Sequence, residues 1–179
     1  MRLFLAIPLS INAKESILNS YNELIGKINA KWVAKENLHI TLKFLGNVEK
    51  DIVKEIEENM DDVREKHKKC VFTITDLGAF PSLKLIRVLF YKIVPPEPFI
   101  DLSRDIDSSL EKFNFKKEEE FFPHITIARL KIPIRNLDLE FNKSINLTET
   151  ADRFNLMESV LNPSGPVYSV IREFKLKGV

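Results

Sequence analysis

Two tetrapeptides in this chain share one pattern: HITL at residues 39–42 and HITI at residues 124–127. Successive side chains of a β-strand point to opposite faces, so in each copy the histidine and threonine share one face. The two aliphatic residues then share the other face, which we expect to pack in the core. The chain has only three histidines, so the repeated pattern predicts two similar halves that each contribute a His–Thr pair to one cleft.

The residues of these pairs indicate a class of chemistry. Two imidazoles with pKa values near 6.5 can act at neutral pH as one general acid and one general base. Two threonine hydroxyls can donate hydrogen bonds to phosphate oxygens. Neither a Ser-His-Asp triad nor the HExxH spacing of metalloproteases is present. The pattern therefore favours displacement at a phosphodiester with no metal and no cofactor, over two alternatives: histidines that pack structurally, and histidines that ligate a metal.

Hydrophobic periodicity predicts an α+β fold with antiparallel sheets. Strand patterns occupy about 2–7, 38–45, 71–77, 85–94, 124–130, 153–161 and 167–176. A first helix follows a cap at Ser10 or Asn12 and carries an apolar stripe that runs as far as Ile28. A second helix is predicted from about 50 to 66, and a third begins after the prolines at 95–98. The charged run at 116–120 is expected to form a solvated loop.

Composition limits what the protein can be. Its 179 residues carry a net charge of +1, which excludes binding of nucleic acid by bulk charge alone. Cys70 is the one cysteine, so no disulfide can form within the chain, and a reducing compartment is expected. With five glycines there is no glycine-rich phosphate loop. No segment resembles a signal peptide or a membrane span, and we expect a cytoplasmic monomer with a single domain, 1–179.

Longer stretches around the two tetrapeptides resemble one known superfamily. They read RLFLAI at 2–7, LHITLKFLG at 38–46, FPHITIAR at 122–129 and ESVLNPSGPVY at 158–168. The two motifs resemble those of the 2H phosphoesterases, which are named for paired HxTx motifs. The flanking stretches are similar to the branch that contains the 2′-5′ RNA ligases and the LigT-like RNA 2′,3′-cyclic phosphodiesterases.

The resemblance implies a bilobal fold with pseudo-twofold symmetry, in which antiparallel sheets face a central cleft and helices cover the outer faces. It also implies hydrolysis of RNA 2′,3′-cyclic phosphodiester ends to 2′-phosphomonoesters. His39 would be the proton donor and His124 the proton acceptor, while Thr41 and Thr126 would hold the phosphate oxygens. The partners implied are RNA 3′ ends that bear the cyclic phosphate, with tRNA halves as one possible source.

The same resemblance assigns substrate binding to Phe44 and Arg129, which lie five residues beyond each motif histidine. In an ideal strand, however, an offset of five places them on the opposite face, so a bulge or twist is needed. Periodicity alone instead selects Lys43, on the His39 face, as a phosphate contact. Arg87 lies in a strand that resembles one beside the cleft in this family, and it is a further candidate for contact with the RNA backbone.

Two other functions stay open at this stage. Ligation of 2′-5′ RNA ends passes through the same pentavalent phosphorus as hydrolysis, so the sequence does not separate the two reactions. A non-catalytic module that binds RNA ends or nucleotides is the other alternative, although binding alone does not require two groups that transfer protons.

Overall fold

A computed structural model of the protein describes residues 1–116, 121–135, 144–163 and 165–178. The strands are β1 (Arg2–Pro8), β2 (Lys31–Trp32), β3 (His39–Asn47), β4 (Cys70–Ser82), β5 (Leu85–Val94), β6 (His124–Arg135), β7 (Leu147–Ala151), β8 (Arg153–Asn162) and β9 (Gly165–Lys175). The α-helices are α1 (Ile11–Tyr21), α2 (Val53–Arg64) and α3 (Glu97–Ser109). Short 3₁₀ turns occupy Asn22–Leu24, Lys35–Asn37, Lys50–Ile52 and Glu111–Phe113. Most of the charged run predicted to be a loop, 117–120, lies outside the described residues.

The strands form two antiparallel sheets. One has the order β3-β1-β8-β9 and the other has the order β2-β6-β5-β4-β7. Each sheet contains one motif strand, β3 in the first and β6 in the second. The predicted α+β class with antiparallel sheets is confirmed. The short strands β2 and β7 at the two edges of the second sheet were not anticipated from the sequence.

Buried side chains from both sheets belong to one hydrophobic core cluster. The motif aliphatics are part of it: Ile40, Leu42, Ile125 and Ile127 are between 0% and 4% exposed. The motif histidines and threonines are half-buried, as alternation along a strand requires. The shared core supports a single domain, 1–179, built from two lobes, which stays a prediction.

The helices follow their amphipathic patterns, with one difference in length. The hydroxyl of Ser10 accepts a hydrogen bond from the Ala13 backbone N–H at 3.0 Å and so caps α1, as expected. The predicted stripe continues to Ile28, but α1 ends at Tyr21, and Ile25 is 44% exposed. After Tyr21 the chain forms the 3₁₀ turn Asn22–Leu24, and Ile25 adopts an extended conformation with ψ 123°, so the helical path stops before Ile28.

Helices α2 and α3 connect to the first sheet. They pack against each other, α2 also contacts β9, and α3 contacts β3. Their inward faces carry the predicted apolar residues, including Ile56 and Met60 of α2 and Phe99 and Ile106 of α3. Strand β3 is thereby supported from behind by α3. No helix within the described ranges is long and apolar enough to cross a membrane.

Candidate active site

A β-bulge in β3 decides which side chains of that strand face the cleft. In the pairing with β1, Leu5 lies opposite Lys43 and Ala6 lies opposite Thr41, so Leu42 is the extra residue. Such a bulge shifts the alternation of faces by one position. Phe44 consequently returns to the side of Thr41 and is 55% exposed.

Strand β6 contains the same irregularity at the equivalent place. Leu89 of β5 lies opposite Ala128, and Phe90 lies opposite Thr126, so Ile127 is the extra residue. Arg129 is therefore exposed on the side of Thr126, whereas Ala128 is buried. The two bulges supply the change of face that the five-residue offsets require.

The prediction that Lys43 lies on the His39 face is wrong, and the bulge is the reason. Lys43 is only 3% exposed and points away from the cleft. Its ammonium group forms an ion pair with Asp107 of α3 and donates a hydrogen bond to the Lys116 carbonyl at 3.3 Å. Lys43 thus anchors α3 to the back of β3 and is not a phosphate contact.

The two motifs meet in one cavity of about 490 Å³. Its lining includes six residues selected from the sequence: His39, Thr41, Phe44, His124, Thr126 and Arg129. Arg87 does not line the cavity and lies exposed on β5. Its contact with RNA stays a prediction.

Backbone carbonyls orient both imidazoles in the same way. Nδ1 of His39 lies 2.7 Å from the carbonyl oxygen of Asn37, and Nδ1 of His124 lies 2.8 Å from that of Phe122. A carbonyl can only accept, so each Nδ1 carries a hydrogen and each neutral ring has its lone pair on Nε2. Nε2 of His39 lies 3.1 Å from Oγ1 of Thr41, whose hydroxyl then donates to the ring.

Aromatic rings fix the position of each imidazole, with different partners in the two halves. The His39 ring has its centroid 5.1 Å from that of Phe4 and 5.4 Å from that of Tyr168. The His124 ring lies 5.2 Å from both Phe80 and Phe90.

Gly78 leaves space for the Phe90 ring, which packs against His124. A Cβ atom on Gly78 would lie 2.6 Å from the Phe90 ring. That distance is shorter than any stable carbon contact, so a side chain at this position would displace the ring. Gly78 therefore allows β4 to approach the ring that supports His124.

The pKa of the His39 imidazole is strongly perturbed. Burial is the main cause that lowers its pKa to about 4, since it penalises the charged ring. The hydrogen bond to the Asn37 carbonyl opposes this shift, and the positive charges of Lys14, His124 and Arg129 favour it. At neutral pH the His39 ring of the protein alone is therefore uncharged.

Arg2, Asn37 and Tyr168 are among the lining residues that sequence reasoning did not select. Asn37 orients His39 through its backbone carbonyl, and its side-chain amide donates to the Pro166 carbonyl at 2.8 Å. Tyr168 reaches the cavity from β9. No local pattern marks Tyr168, because its role depends on the β8–β9 hairpin lying beside β1.

The arrangement brings two imidazoles, the two motif threonine hydroxyls and the guanidinium groups of Arg2 and Arg129 around one space, which suits acid–base chemistry on an anion. In the described part of the chain, no group of three or more His, Cys, Asp or Glu side chains is placed to hold a metal ion.

Comparison with known proteins places this site in a family. The family described as LigT like Phosphoesterase matches residues 8–90 and 93–168. An RNA 2′,3′-cyclic phosphodiesterase of Methanocaldococcus jannaschii is 37% identical over 179 residues, which cover 97% of this chain and all of that protein. A protein of the same name from Thermotoga maritima is 32% identical over 99% of this chain and 97% of its own length.

Solved structures share the fold. The crystal structure of TT0787 of Thermus thermophilus superposes with a TM-score of 0.88 at 26% identity, covering 99% of both chains. Escherichia coli LigT, crystallised with 3′-AMP, gives a TM-score of 0.81 at 24% identity over 98% of this chain and 97% of that one. The second likeness concerns the fold alone.

Proposed function

The chain belongs to the LigT-like phosphoesterase family, and from this premise we propose that it is an RNA 2′,3′-cyclic phosphodiesterase. The reaction opens the cyclic phosphodiester at an RNA 3′ end and leaves a 2′-phosphomonoester. We propose that two histidines carry it out without a metal ion. The observation that carries the proposal is the pair of imidazoles, each fixed through Nδ1, that line one cavity together with both motif threonines.

In the proposed mechanism, Nε2 of His124 accepts a proton from a water molecule while the water oxygen attacks phosphorus. The bond from phosphorus to the 3′-oxygen breaks on the opposite side, and Nε2 of His39 donates a proton to that oxygen. One P–O bond forms and one breaks, and the products are a 2′-phosphate and a free 3′-hydroxyl. The two Nδ1–carbonyl bonds direct the proton exchange of both rings to Nε2, while the donor and acceptor roles follow from the likeness of each motif to those of the family.

The donor role requires His39 to be protonated when the phosphate is bound. Its pKa of about 4 applies to the cleft without substrate. A phosphodiester anion beside the ring favours the imidazolium and raises this pKa. The substrate thus helps to create the acid that it needs. After the reaction His39 is neutral and His124 is charged, and proton exchange with solvent restores the starting state.

The remaining groups contact the phosphate oxygens and the terminal nucleobase. Once Nε2 of His39 is protonated it no longer accepts from Thr41, and we propose that the hydroxyls of Thr41 and Thr126 then donate to the two non-bridging phosphate oxygens, where charge increases in the transition state. Phe44 and Arg129 are proposed to hold the terminal base through the aromatic ring and the guanidinium plane. Both side chains line the cavity that contains the histidines.

The test is hydrolysis of a short RNA that ends in a 2′,3′-cyclic phosphate, in buffer that contains excess EDTA. We expect turnover that EDTA does not reduce, with the 2′-phosphomonoester as the product identified by ³¹P NMR. Loss of turnover on chelation, restored by a divalent cation, would overturn the metal-independent mechanism. A 3′-phosphate as the product would reverse the assignment of the leaving oxygen.

The proposed physiological substrates are RNA 3′ ends with a cyclic phosphate, with tRNA halves among them, and the protein is proposed to act as a monomer. Cleavage of a tRNA half and of an unrelated RNA of the same length, compared at equal concentration, tests the substrate. Equilibrium sedimentation tests the monomer, for which a mass near 20.8 kDa is expected.

A further inference from the structure

A second cavity of about 510 Å³ adjoins the one that contains the histidines. Five residues line both spaces: Val33, Asn37, Arg129, Pro166 and Tyr168. The two cavities are therefore adjacent and share these residues as one wall. The second cavity holds none of the motif histidines or threonines, and the proposed mechanism does not use it.

An aromatic surface is fixed in this second cavity. The indole of Trp32 lines it and stacks on Tyr21, with ring centroids 5.2 Å apart and planes within 9° of parallel. Tyr21 is only 1% exposed, so one indole face is held against the core. Tyr168, from the opposite hairpin, lines the same space. A flat ring that is already immobilised is well suited to stack on a nucleobase.

Positive charge lies where the two cavities join. In the β2–β6 pairing Lys31 lies directly opposite Arg129, so the two cations are neighbours. Glu36 is the acidic residue of the lining, and Lys14 donates to its backbone carbonyl at 2.9 Å. The lining of the second cavity thus carries two cations and one carboxylate. This balance favours one phosphate at the junction, near Lys31 and Arg129.

We propose that the second cavity binds the nucleotide on the 5′ side of the terminal nucleotide of the RNA. Its base stacks on Trp32, and the phosphodiester that joins the two nucleotides lies beside Lys31 and Arg129. This inference rests on the proposed function, because it extends the same substrate beyond the reacting phosphate. It makes the protein an enzyme for RNA ends of two or more nucleotides rather than for cyclic mononucleotides.

The experiment compares adenosine 2′,3′-cyclic phosphate with the dinucleotide ApA that ends in the same cyclic phosphate. Stacking of one base on an aromatic ring corresponds to roughly 5- to 150-fold in affinity. We therefore expect kcat/KM of the protein to be at least about fivefold higher for the dinucleotide. The readout for each variant is the ratio of the two kcat/KM values, which cancels any general loss of activity.

Trp32→Ala is expected to lower this ratio to near one, and Trp32→Phe to retain most of it. Lys31→Ala, which leaves the core untouched, is expected to lower the ratio and to weaken its dependence on salt. Lys175→Ala removes the same charge from an exposed position on β9 outside both cavities, and the ratio should not change. A ratio near one in the unmodified protein, or a ratio unaffected by both Trp32→Ala and Lys31→Ala, would overturn the inference.

Binding of the products separates this inference from the proposed function. Calorimetry compares adenosine 2′-phosphate with ApA 2′-phosphate. If neither cyclic compound is hydrolysed, the proposed function fails, yet tighter binding of the dinucleotide that depends on Trp32 still supports the second site. If both are hydrolysed equally and both products bind equally, hydrolysis stands and the second site is refuted.

Discussion

Strands β3 and β6 hold their histidines with the same backbone arrangement but surround them with different aromatic rings. Each strand begins with a histidine whose ring is held by the backbone carbonyl two residues earlier. Each then contains a bulge within the motif, and the side chain two positions after the bulged residue is large and exposed. The surroundings differ. His39 is packed against Phe4 and Tyr168, whereas His124 is packed against Phe80 and Phe90.

A duplicated backbone frame therefore need not give the two imidazoles the same surroundings. The frame sets the orientation of each imidazole, while the neighbouring elements set its environment. Hydrophobic neighbours that exclude water, together with nearby positive charges, keep His39 neutral in the protein alone because both disfavour the imidazolium. Substitutions in the two strands and their surroundings test how far the two halves are equivalent.

Removing either histidine is expected to have the largest effect. His39→Ala and His124→Ala should each lower kcat/KM by about 10²-fold or more, because each removes one of two coupled proton transfers. The double variant should be only slightly worse than the poorer single one, since the groups act as a unit. Steady-state kinetics on an RNA with a cyclic phosphate end provide the measurement.

The third histidine serves as the control for these variants. His67 lies just beyond the end of α2, where Nε2 contacts Asp105 at 2.9 Å, and it lines neither cavity. His67→Ala should retain kcat/KM within about twofold at a temperature where the variant is folded, because it takes no part in proton transfer. A motif variant that keeps full activity would show that the reaction does not need the pair.

The low pKa of His39 makes the stability of the protein depend on pH in a stated direction. An unfolded histidine binds a proton below about pH 6.5, but His39 in the folded protein has a pKa of about 4. Between these values the unfolded state binds more protons, so stability falls as the pH falls. Between about pH 7 and pH 4, His39 should lower the free energy of unfolding of the unmodified protein by up to about 3 kcal/mol, and His39→Gln should not show this decrease.

Urea unfolding of the unmodified protein and of His39→Gln at several pH values measures this difference. The variant His124→Gln, made in the matching strand, shows whether the effect belongs to the surroundings of His39. A difference between the unmodified protein and His39→Gln that stays constant across this acidic range would contradict the burial effect on this ring.

The threonines test whether the two halves contact the phosphate equally. Thr41→Val and Thr126→Val each remove a hydroxyl with little change in shape and should lower kcat/KM by about 10- to 100-fold, the effect of one hydrogen bond to a charged group. Thr→Ser at either position restores the hydroxyl and should recover most of the activity. If one threonine variant is inactive and the other is fully active, one hydroxyl alone holds the phosphate.

The smallest expected effect on catalysis concerns Lys43. Asp107→Asn leaves its buried ammonium without an ionic partner and should lower the free energy of unfolding by about 2 kcal/mol. Because Lys43 faces away from the cleft, kcat/KM should change by less than about threefold. Asp101→Asn, which breaks an exposed ion pair with Arg104 on the same helix, is the control and should have little effect on stability. A large loss of activity in Asp107→Asn with unchanged stability would indicate that Lys43 contacts the substrate after all.

The elements predicted with greatest success are those whose pattern is local. The motif strands and helices α2 and α3 lie close to their predicted positions, since their apolar residues recur with the period of a strand or a helix. The end of α1 was missed because Ile28, which is buried, extends the apolar stripe past Gly26. Strand β2 was missed because two residues are too few to show a period.

The site residues likewise divide into those that a local pattern identifies and those that tertiary packing brings to the cleft. His39 and His124 were identified from the repeated tetrapeptide alone, whereas Phe44 and Arg129 came from the family resemblance and contradicted simple alternation. Lys43 was assigned wrongly because the same bulge that brings Phe44 to the cleft turns Lys43 away from it. Tyr168 was not identified at all, since only the tertiary packing of the β8–β9 hairpin brings it to His39.

The two motif strands, and the side of each that faces the core, follow from the order of apolar and polar residues in the chain. This is because alternation is a property of one strand and its own side chains. The position of each bulge, the set of side chains that share a cavity and the size of the pKa shift of His39 follow instead from the packing of the folded chain. These depend on pairing with other strands and on the removal of water by residues distant in the chain, which no local pattern records.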